Sequence, residues 1–234
     1  MSMNKIEQNV LLLDIGGTLV DITEPYEVYT ERAAANMVAQ VKPEMDAEEA
    51  KQIALDTRRK IRAEAHSTFT EFDFLDFTTN VMAKWEIEKW NDQNSIEAAY
   101  VEAELEITKN FDDTIDFLTR ARAAGKRIVA LTNNFSAQHV QTLLDRFGLR
   151  PFFDDIFISA SLRLRKPSAE LMDQVLASID VDRQDVIIVG DKVSMDVELG
   201  LRSGVATCLV ARNTRPEGHE KADILVDTLA EIEF

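Results

Sequence analysis

The stretch Leu-Leu-Leu-Asp-Ile-Gly-Gly-Thr-Leu-Val-Asp at residues 11–21 decides the predicted fold. A short apolar run, Val10–Leu13, ends abruptly in a polar, glycine-containing segment that begins at Asp14. Continuous apolar runs of this length are typical of strands that are buried on both faces of a parallel sheet. The pattern therefore predicts a buried first strand that leads into a loop carrying Asp14.

The part of the chain after Phe111 repeats this pattern as an alternation of strands and helices. Glycines follow the ends of several helix-like segments, as is typical of helix C-termini. The predicted strands are Arg127–Leu131, Ile156–Ser159, Val186–Val189, Ala206–Val210 and Ile224–Val226. The predicted helices are Asp112–Ala124, Ser136–Phe147, Ala169–Ile179 and Met195–Ser203. This alternation predicts an α/β fold with a Rossmann-like three-layer core around a parallel sheet.

Residues 22–108 follow a different pattern, which predicts an inserted all-helical unit without strands of its own. This part of the chain contains no glycine and is rich in helix-forming residues. The four predicted helices are Tyr26–Val41, Ala47–His66, Glu71–Trp90 and Ser95–Lys109. Asp46 is a predicted N-cap, because Glu49 follows it three residues later. The predicted division is residues 1–21 and 109–234 for the α/β core and residues 22–108 for the helical unit.

Composition and charge narrow the classes of partner. The chain has 234 residues, 45% of them apolar, which suits one core with a modest insertion. Its formal net charge of −16 disfavours nucleic acid and anionic membrane surfaces as partners. Cys208 is the only cysteine, so an internal disulfide is impossible and a reducing compartment is favoured. With neither a signal-peptide stretch nor an apolar run of about 18 residues, we expect a cytoplasmic protein.

Polar side chains follow the predicted strands where each strand ends. Ligand sites of open parallel sheets lie beyond the carboxyl ends of the strands, so these side chains are expected to gather at one edge. In chain order they are Asp14, Thr132 with Asn133, Lys166, Asp191, and Asp196 five residues further on. The sequence therefore predicts a site that combines carboxylates, a hydroxyl, an amide and an ammonium group.

This combination of groups favours phosphoryl transfer. That reaction needs a nucleophile, a cation that neutralises charge, and donors that hold the phosphoryl oxygens. Asp14 and Asp191 could supply carboxylates to Mg²⁺, which prefers oxygen ligands. Lys166 could offset the negative charge of carboxylates and phosphate, while Thr132 and nearby backbone amides hold the phosphoryl oxygens. An aspartate nucleophile would divide a difficult hydrolysis into two displacements.

Four segments of the chain resemble the four motifs of the haloacid dehalogenase (HAD) superfamily. They are LLLDIGGTLVD, IVALTN, RKP and VGDKVSMD, in that order, and together the resemblance covers essentially the whole chain. The helical unit lies between the first two motifs, where the family inserts its type-1 (C1) cap. The resemblance therefore implies a HAD-like hydrolase with a Rossmann-like core and a helical C1-type cap.

The resemblance also implies catalytic roles for individual residues. Asp14 would be the nucleophile, and Lys166 would orient it. Thr132 would bind the transferring phosphoryl group, and Gly17, Asn133 and Lys166 would complete its binding site. The implied substrate is a small phosphorylated metabolite, bound by a monomer or a homodimer.

The same resemblance implies a Mg²⁺ site. Asp14 would be a metal ligand as well as the nucleophile, and residue Gly16 would contribute its backbone carbonyl. Asp191 would be a second carboxylate ligand. Asp196 would support the metal or its bound water.

Gly16 is a departure from the pattern of the family, whose phosphatases usually carry an acid/base aspartate two residues after the nucleophile. Loss of general acid–base help lowers a rate by roughly 10²–10⁴-fold. Three explanations stay open at this point. The substrate has a good leaving group, such as an acyl phosphate; another residue supplies the proton, with Lys51, Lys60 and Lys192 as candidates; or the protein is a catalytically impaired relative that binds phosphate or a regulatory partner.

Other activities fit the residues less well. Dehalogenating relatives carry an aromatic residue two positions after the nucleophile and lack the metal aspartates, whereas this chain has Asp191 and Asp196. Phosphonate-cleaving relatives use a cap lysine with a local motif that this chain does not match. The string Asp-Ile-Gly-Gly-Thr also resembles the phosphate loop of actin-like sugar kinases, but a helical block follows it here instead of a second hairpin strand.

Three arginines fall within about one turn of the second predicted helix, at Arg58, Arg59 and Arg62. Such a cluster could hold a carboxylate or phosphate of a substrate. The glutamates around it could equally pair with these arginines on a solvated helix face. The sequence leaves both interpretations open.

Overall fold

The computed structural model describes residues 4–90, 92–212 and 214–234. Its main sheet has six strands, all of whose neighbouring pairs are parallel, and a second sheet has two antiparallel strands. Numbered along the chain, the strands are β1 Val10–Leu13, β2 Val20–Ile22, β3 Thr108–Asn110, β4 Arg127–Thr132, β5 Asp155–Ile158, β6 Val186–Gly190, β7 Ala206–Val210 and β8 Ile224–Val226. The order in the main sheet is β5-β4-β1-β6-β7-β8, which confirms the predicted α/β fold.

Nine α-helices occur in the described part of the chain. They are α1 Tyr26–Val41, α2 Ala47–Thr68, α3 Phe74–Lys84, α4 Gln93–Leu105, α5 Thr114–Ala123, α6 Ala137–Arg146, α7 Ser159–Leu162, α8 Ala169–Ile179 and α9 Glu198–Ser203. No helix among these residues is both long enough and apolar enough to cross a membrane.

The central strand β1 shows why the core has three layers. Successive side chains of a strand point to opposite faces of the sheet. Leu11 and Leu13 accordingly join an apolar cluster that includes residues of α5 and α6, whereas Val10 and Leu12 join a separate cluster that includes residues of α8. All four residues are buried, which explains the continuous apolar run in the sequence.

Helices α1–α4, called the helical segment below, have their own apolar core. Buried aromatic side chains dominate it, including Phe77, Trp85 and Tyr100. Phe135, which follows β4 in the α/β core, also packs into this cluster. The side chain of Asp46 accepts a hydrogen bond from the backbone N–H of Glu49, which confirms the predicted N-cap of α2.

The expectation of a helical unit without strands was wrong at both of its ends. Val20–Ile22 and Thr108–Asn110 pair as an antiparallel ribbon, so the chain enters and leaves the helical segment side by side. Three-residue strands carry too little alternation to distinguish them from loop or helix ends. The helix predicted at Ser95–Lys109 therefore ends earlier, at Leu105. The division at residues 22 and 108 stays a prediction.

The helix predicted at Glu71–Trp90 is also shorter, since α3 spans Phe74–Lys84. Its first turn is closed by a capping box, in which Asp73 accepts from the N–H of Asp76 and Asp76 accepts from the N–H of Asp73. An aspartate at an N-cap competes with the helical conformation of its own residue, which explains the later start.

Candidate active site

The loop after β1 begins at Asp14, whose backbone N–H donates to the Val189 carbonyl at 3.0 Å. The turn that follows depends on Gly17, which has a φ of 84°. A Cβ atom at this position would overlap the carboxylate of Asp191. Glycine is therefore required here both by the backbone conformation and by the close approach of Asp191, which belongs to the fourth motif.

Lys166 joins two carboxylates in the centre of the site. Its Nζ atom donates to Asp14 Oδ1 at 2.7 Å and to Asp196 Oδ1 at 2.6 Å. The side chains of Lys166 and Asp196 are each only 3% exposed. Burial alone would lower the pKa of Lys166, but the charges of Asp14 and Asp196 outweigh burial and raise this pKa above its ordinary value. Lys166 therefore bridges the two carboxylates as a buried cation, and its role in orienting Asp14 stays a prediction.

Asn133 holds the backbone of Lys166 with both ends of its side-chain amide. Its Oδ1 atom accepts from the Lys166 N–H at 2.8 Å, and its Nδ2 atom donates to the Lys166 carbonyl at 3.0 Å. The sequence analysis did not predict these hydrogen bonds between the residue after β4 and the backbone of Lys166. The side chain of Asn133 is thus engaged with the backbone of Lys166, and its contact with phosphate stays a prediction.

Asp196 occupies a widened turn rather than the start of a regular α-helix. The predicted helix Met195–Ser203 begins instead with one π-turn at Val193–Val197 and continues as α9. The N–H of Lys192 donates to Asp196 Oδ2 at 3.0 Å, which leaves Oδ1 for Lys166. A Cβ atom at Gly190 would overlap the Asp196 carboxylate, so this glycine makes the close packing possible. Such π-turns occur frequently at functional sites.

Asp14, Asp191 and Asp196 form the cluster that fits a metal ion. One carboxylate oxygen from each lies within 4.8 Å of the others. Burial, followed by the negative charge of Asp14, raises the pKa of Asp191 to about 7. Three crowded oxygen donors with excess negative charge match the preference of a hard divalent cation, so the residues fit Mg²⁺. That the backbone carbonyl of Gly16 is also a metal ligand stays a prediction.

Lys192 reaches the edge of this cluster. Its Nζ atom lies 3.3 Å from Asp191 Oδ2, while its side chain is 54% exposed. It therefore both faces solvent and contacts a carboxylate of the site. The other two lysines considered as proton donors, Lys51 and Lys60, are absent from the residues that line the site's cavity in the described structure.

A cavity of about 380 Å³ opens above these residues, between the edge of the sheet and the helical segment. The predicted site residues Asp14, Gly16, Gly17, Thr132, Asn133, Lys166 and Asp196 all line it. Thr132 is the last residue of β4 and is buried. The space beside Gly16 is open, because the atom nearest to a Cβ built there is Ile22 Cδ1, at 4.0 Å.

The opposite wall of the cavity comes partly from the helical segment, and sequence reasoning missed most of its residues. Tyr29, Arg58, Arg62, Glu71 and Glu104 line it. The arginine cluster of α2 divides in space: Arg58 and Arg62 face the cavity, whereas Arg59 contacts Asp56 on the surface. The only sequence signal for this wall was the arginine cluster itself.

A partly buried polar contact joins α4 to the start of α6. The Ser136 hydroxyl donates to Glu97 Oε1 at 2.5 Å and accepts from the N–H of His139 at 2.9 Å. His139 is 2% exposed, lies 3.6 Å from Glu104 Oε2 and also lines the cavity. Burial raises the pKa of Glu97. Because these residues belong to α4 and to the loop after β4, only the folded structure brings them together.

A parallel sheet covered by helices, with a carboxylate–lysine site at the carboxyl ends of its strands, defines the class of Rossmann-like α/β enzymes to which this architecture corresponds. The haloacid dehalogenase-like hydrolase model matches residues 8–204 of the chain. The chain belongs to the haloacid dehalogenase-like hydrolase family, and it is a hydrolase by that membership.

Curated relatives of the chain include phosphatases. The chain is 30% identical over 175 residues to the pyrimidine 5'-nucleotidase YjjG of Escherichia coli, covering 64% of this chain and 77% of that protein. It is 24% identical over 227 residues to the glyceraldehyde 3-phosphate phosphatase of Methanocaldococcus jannaschii, covering 95% and 94% of the two chains.

Solved structures confirm the fold over nearly the whole chain. A HAD phosphatase from Thermococcus onnurineus superposes with a TM-score of 0.69 at 19% identity and covers 95% of both chains. A 2-haloacid dehalogenase from Pseudomonas syringae gives a TM-score of 0.70 at 18% identity and covers 96% of both. Because dehalogenases and phosphatases match equally well, the fold alone does not distinguish their activities.

Proposed function

We propose that the protein is a Mg²⁺-dependent phosphatase or phosphotransferase that acts on a small phosphorylated metabolite through an aspartyl phosphate at Asp14. The observation that carries this proposal is the contact of Lys166 with Asp14, within a cluster of three carboxylates of which Asp14 and Asp196 line the cavity. A nucleophile, a fixed cation and a metal site are the parts that phosphoryl transfer requires.

In the first step, a carboxylate oxygen of Asp14 attacks phosphorus and the bond from phosphorus to the leaving oxygen breaks. Lys166 holds the Asp14 carboxylate, and Thr132 with the backbone amides of Gly17 and Asn133 would bind the equatorial oxygens. In the second step, water attacks the phosphoryl group and the Asp14–phosphorus bond breaks. Inorganic phosphate leaves, the proton of the water passes to phosphate or solvent, and the Asp14 carboxylate is regenerated.

The residues that would hold Mg²⁺ are Asp14, Asp191, the carbonyl of Gly16 and, in support, Asp196. When bound, the ion would neutralise the charge that develops on the phosphoryl oxygens. The crowding of Asp14 and Asp191 supports this assignment, since burial and the charge of Asp14 both disfavour an ionised Asp191 without a cation nearby.

Gly16 limits the range of leaving groups in this proposal. With no side chain, it cannot protonate a leaving alkoxide or remove a proton from water. A leaving group of low basicity, such as the carboxylate released from an acyl phosphate, needs little protonation. We therefore expect acyl phosphates to react much faster than alkyl phosphates of similar size.

The size of the cavity supports a small substrate. Its volume of about 380 Å³ lies near the lower end of the range for small-molecule sites, which is roughly 300–1,000 Å³. Two curated relatives are named for small phosphorylated compounds, glyceraldehyde 3-phosphate and pyrimidine 5'-nucleotides. A cytoplasmic location and a monomeric or dimeric state remain part of the proposal.

The test is phosphate release from a panel of phosphorylated metabolites in the presence of Mg²⁺, with acetyl phosphate and para-nitrophenyl phosphate included. Asp14→Asn is the control, because it is nearly isosteric but lacks the nucleophilic carboxylate. Release that is lost in this variant and on chelation of Mg²⁺ would support the proposal. Release that persists in Asp14→Asn would contradict the role of Asp14.

A second candidate function is a catalytically impaired protein on the same fold that binds a phosphorylated ligand or a regulatory partner. The observation that favours it is Gly16, since the other proposed site residues are in place. Metal binding does not separate the two candidates, but turnover does. Binding of a phosphorylated ligand to the wild-type protein with no release from any substrate would favour this second function.

A further inference from the structure

Three arginines line the cavity in addition to the two lysines already described. Arg58 and Arg62 are four residues apart on α2 and therefore lie on the same face of this helix. Arg165 directly precedes Lys166 and lines the same cavity. The three side chains differ in depth, because Arg165 is buried, Arg58 is partly buried and Arg62 is exposed.

Two of these arginines are held in place by their neighbours. The guanidinium of Arg58 lies over the ring of Phe135, with 3.6 Å between Cζ and the ring centroid. Arg165 donates to Glu71 Oε1 at 3.3 Å, and its backbone N–H donates to the Phe69 carbonyl at 3.1 Å. The positions of both charges are thus set before any ligand binds, which lowers the entropic cost of recognition.

The three arginines place local positive charge on the cavity of a protein whose net charge is −16. Burial lowers the pKa of Arg165, Glu71 opposes this shift, and the positive charges of Arg58 and Arg62 add smaller shifts in the lowering direction. The pKa of His66, one turn further along α2, is lowered by burial and by Arg165 and Arg62. Arg58, Arg62 and Arg165 therefore lie close enough together for their charges to interact.

We propose that Arg58, Arg62 and Arg165 form a second oxyanion-binding site in the cavity, so that the preferred substrate carries a carboxylate or a second phosphate in addition to the transferred phosphoryl group. Guanidinium groups bind both kinds of oxyanion with two parallel hydrogen bonds. A local cluster of positive charge would also attract an anionic substrate to an acidic protein.

Two carboxylates on the same wall limit where the second oxyanion can bind. Glu71 is committed to Arg165 and to the hydroxyl of Ser159, which donates to Glu71 Oε2 at 2.8 Å. Glu104 lies beside His139, 3.6 Å from its ring nitrogen. The second oxyanion would therefore bind beside Arg58 and Arg62, which line the cavity from α2.

The test compares the binding of matched, non-hydrolysable probes by calorimetry in the presence of Mg²⁺. Phosphonoacetate carries a phosphonate and a carboxylate, and ethylphosphonate is similar in size but lacks the carboxylate. We expect the wild-type protein to bind phosphonoacetate about 10- to 100-fold more tightly. Methylenediphosphonate shows whether a second phosphate-like group is preferred to a carboxylate.

Arg62→Gln should reduce this ratio of affinities towards one, whereas Arg62→Lys should keep part of it because the charge remains. Arg59→Gln is the matched control, since Arg59 is the neighbour on α2 that contacts Asp56 on the surface. It should keep the wild-type ratio. Because all variants are compared with the same probes, chelation of Mg²⁺ by a probe cancels in the comparison.

A ratio near one in the wild-type protein would overturn the inference. So would a ratio that survives in Arg62→Gln, even if both probes bind more weakly, because the arginines would then act on the phosphoryl group itself. The inference rests on the proposed function only for the place of the phosphoryl group. Failure of phosphate release with a preserved probe preference would contradict the proposed function alone.

Discussion

The two walls of the cavity are built in different ways. On the sheet side, Asp14 and Thr132 line the cavity and lie at or immediately after the ends of the neighbouring parallel strands β1 and β4. On the helical side, Arg58 and Arg62 lie in the middle of the 22-residue helix α2, and their position depends on how that helix packs. The first wall is determined by backbone hydrogen bonds, whereas the second is determined by side-chain packing.

This difference explains what the sequence reveals about each wall. Strand register places every residue that follows a parallel strand at the same edge, so a polar residue after an apolar run is informative. A charged residue on a long amphipathic helix faces either solvent or a cavity, and the sequence pattern of the helix does not show which of the two it faces. Arg58 and Arg59 illustrate this, since adjacent arginines in the sequence face the cavity and the surface respectively.

The largest expected effect comes from adding an acid/base group to the sheet-side wall with Gly16→Asp. The space beside Gly16 is open and its backbone has no positive φ, so the substitution should fold normally. If a missing proton donor limits turnover, the rate with alkyl phosphates should rise by roughly 10²–10⁴-fold, equivalent to about 3–5 kcal/mol of barrier. Steady-state phosphate release measures this change.

Gly16→Ala is the matched control, because it adds the same Cβ without a carboxyl group and should leave the rate with alkyl phosphates low. An unchanged rate in a folded Gly16→Asp protein would count against the missing proton donor as the limit. The acid or base would then have to come from another titratable group that lines the cavity, such as Lys192, Glu104 or His139.

How far the sequence predicted the structure can be judged from particular elements. The bounds of α1, α8, β7 and β8 agree with their predictions, because each has an unambiguous apolar pattern with proline, glycine or polar residues at its ends. The ribbon β2–β3 was missed, since its two three-residue strands contain polar residues, unlike the wholly apolar β8. Asp14 and Lys166 were expected at the same edge of the sheet. The hydrogen bonds of the Asn133 side chain with the Lys166 backbone join distant segments, and no local sequence pattern predicts them.

A second prediction concerns the charge balance of the sheet-side wall. Lys166→Met would leave the buried carboxylates of Asp14 and Asp196 without their shared cation. We expect the free energy of unfolding to fall by about 3 kcal/mol, as is typical when one partner of a buried ion pair is removed. Urea denaturation in the presence of a chelator measures this loss.

Lys192→Met provides the comparison for Lys166→Met. Lys192 also contacts a carboxylate of the site, but its side chain is 54% exposed, and exposed ion pairs contribute only about 0–1 kcal/mol. Equal losses in the two variants would show that the buried lysine has no special structural role.

Phe135 links the two walls, because it follows β4 but packs among the aromatic residues of the helical segment. Its ring centroid lies 5.5–5.7 Å from those of Phe74, Phe77 and Tyr100. Phe135→Leu should lower the free energy of unfolding by about 2 kcal/mol, since aromatic pairs add about 0.5–1.5 kcal/mol each beyond burial of area. It should also weaken phosphonoacetate binding, because Arg58 loses the ring on which it lies.

The control for Phe135→Leu is Leu75→Ala in the same helical segment. Leu75 is 52% exposed, so its truncation should change the stability by no more than about 0.5 kcal/mol. A stability loss in Phe135→Leu without any change in probe affinity would separate the packing of the helical segment from the position of Arg58.

The smallest expected effect tests the contact between α4 and α6 through its pH dependence. Burial raises the pKa of Glu97 above its ordinary value of 4.5, so ionisation of this group costs the folded state more than the unfolded state. Glu97→Gln cannot ionise but can still accept from the Ser136 hydroxyl. The variant should therefore be more stable than the wild type near pH 7, by no more than about 0.5 kcal/mol.

This advantage should disappear as the pH falls below the ordinary pKa of glutamate, where Glu97 is protonated in both states. Glu102→Gln should show the opposite sign, because its hydrogen bond with Arg146 lowers the pKa of Glu102. The wild type should then be the more stable protein near pH 7, with a difference that is lost as the pH falls. Melting temperatures of both variants and of the wild type, measured between about pH 4 and pH 8, test these two opposite pH dependences. A Glu97→Gln difference that does not vary with pH would mean that Glu97 is stabilised by shape and hydrogen bonding alone, and that its burial has no electrostatic cost.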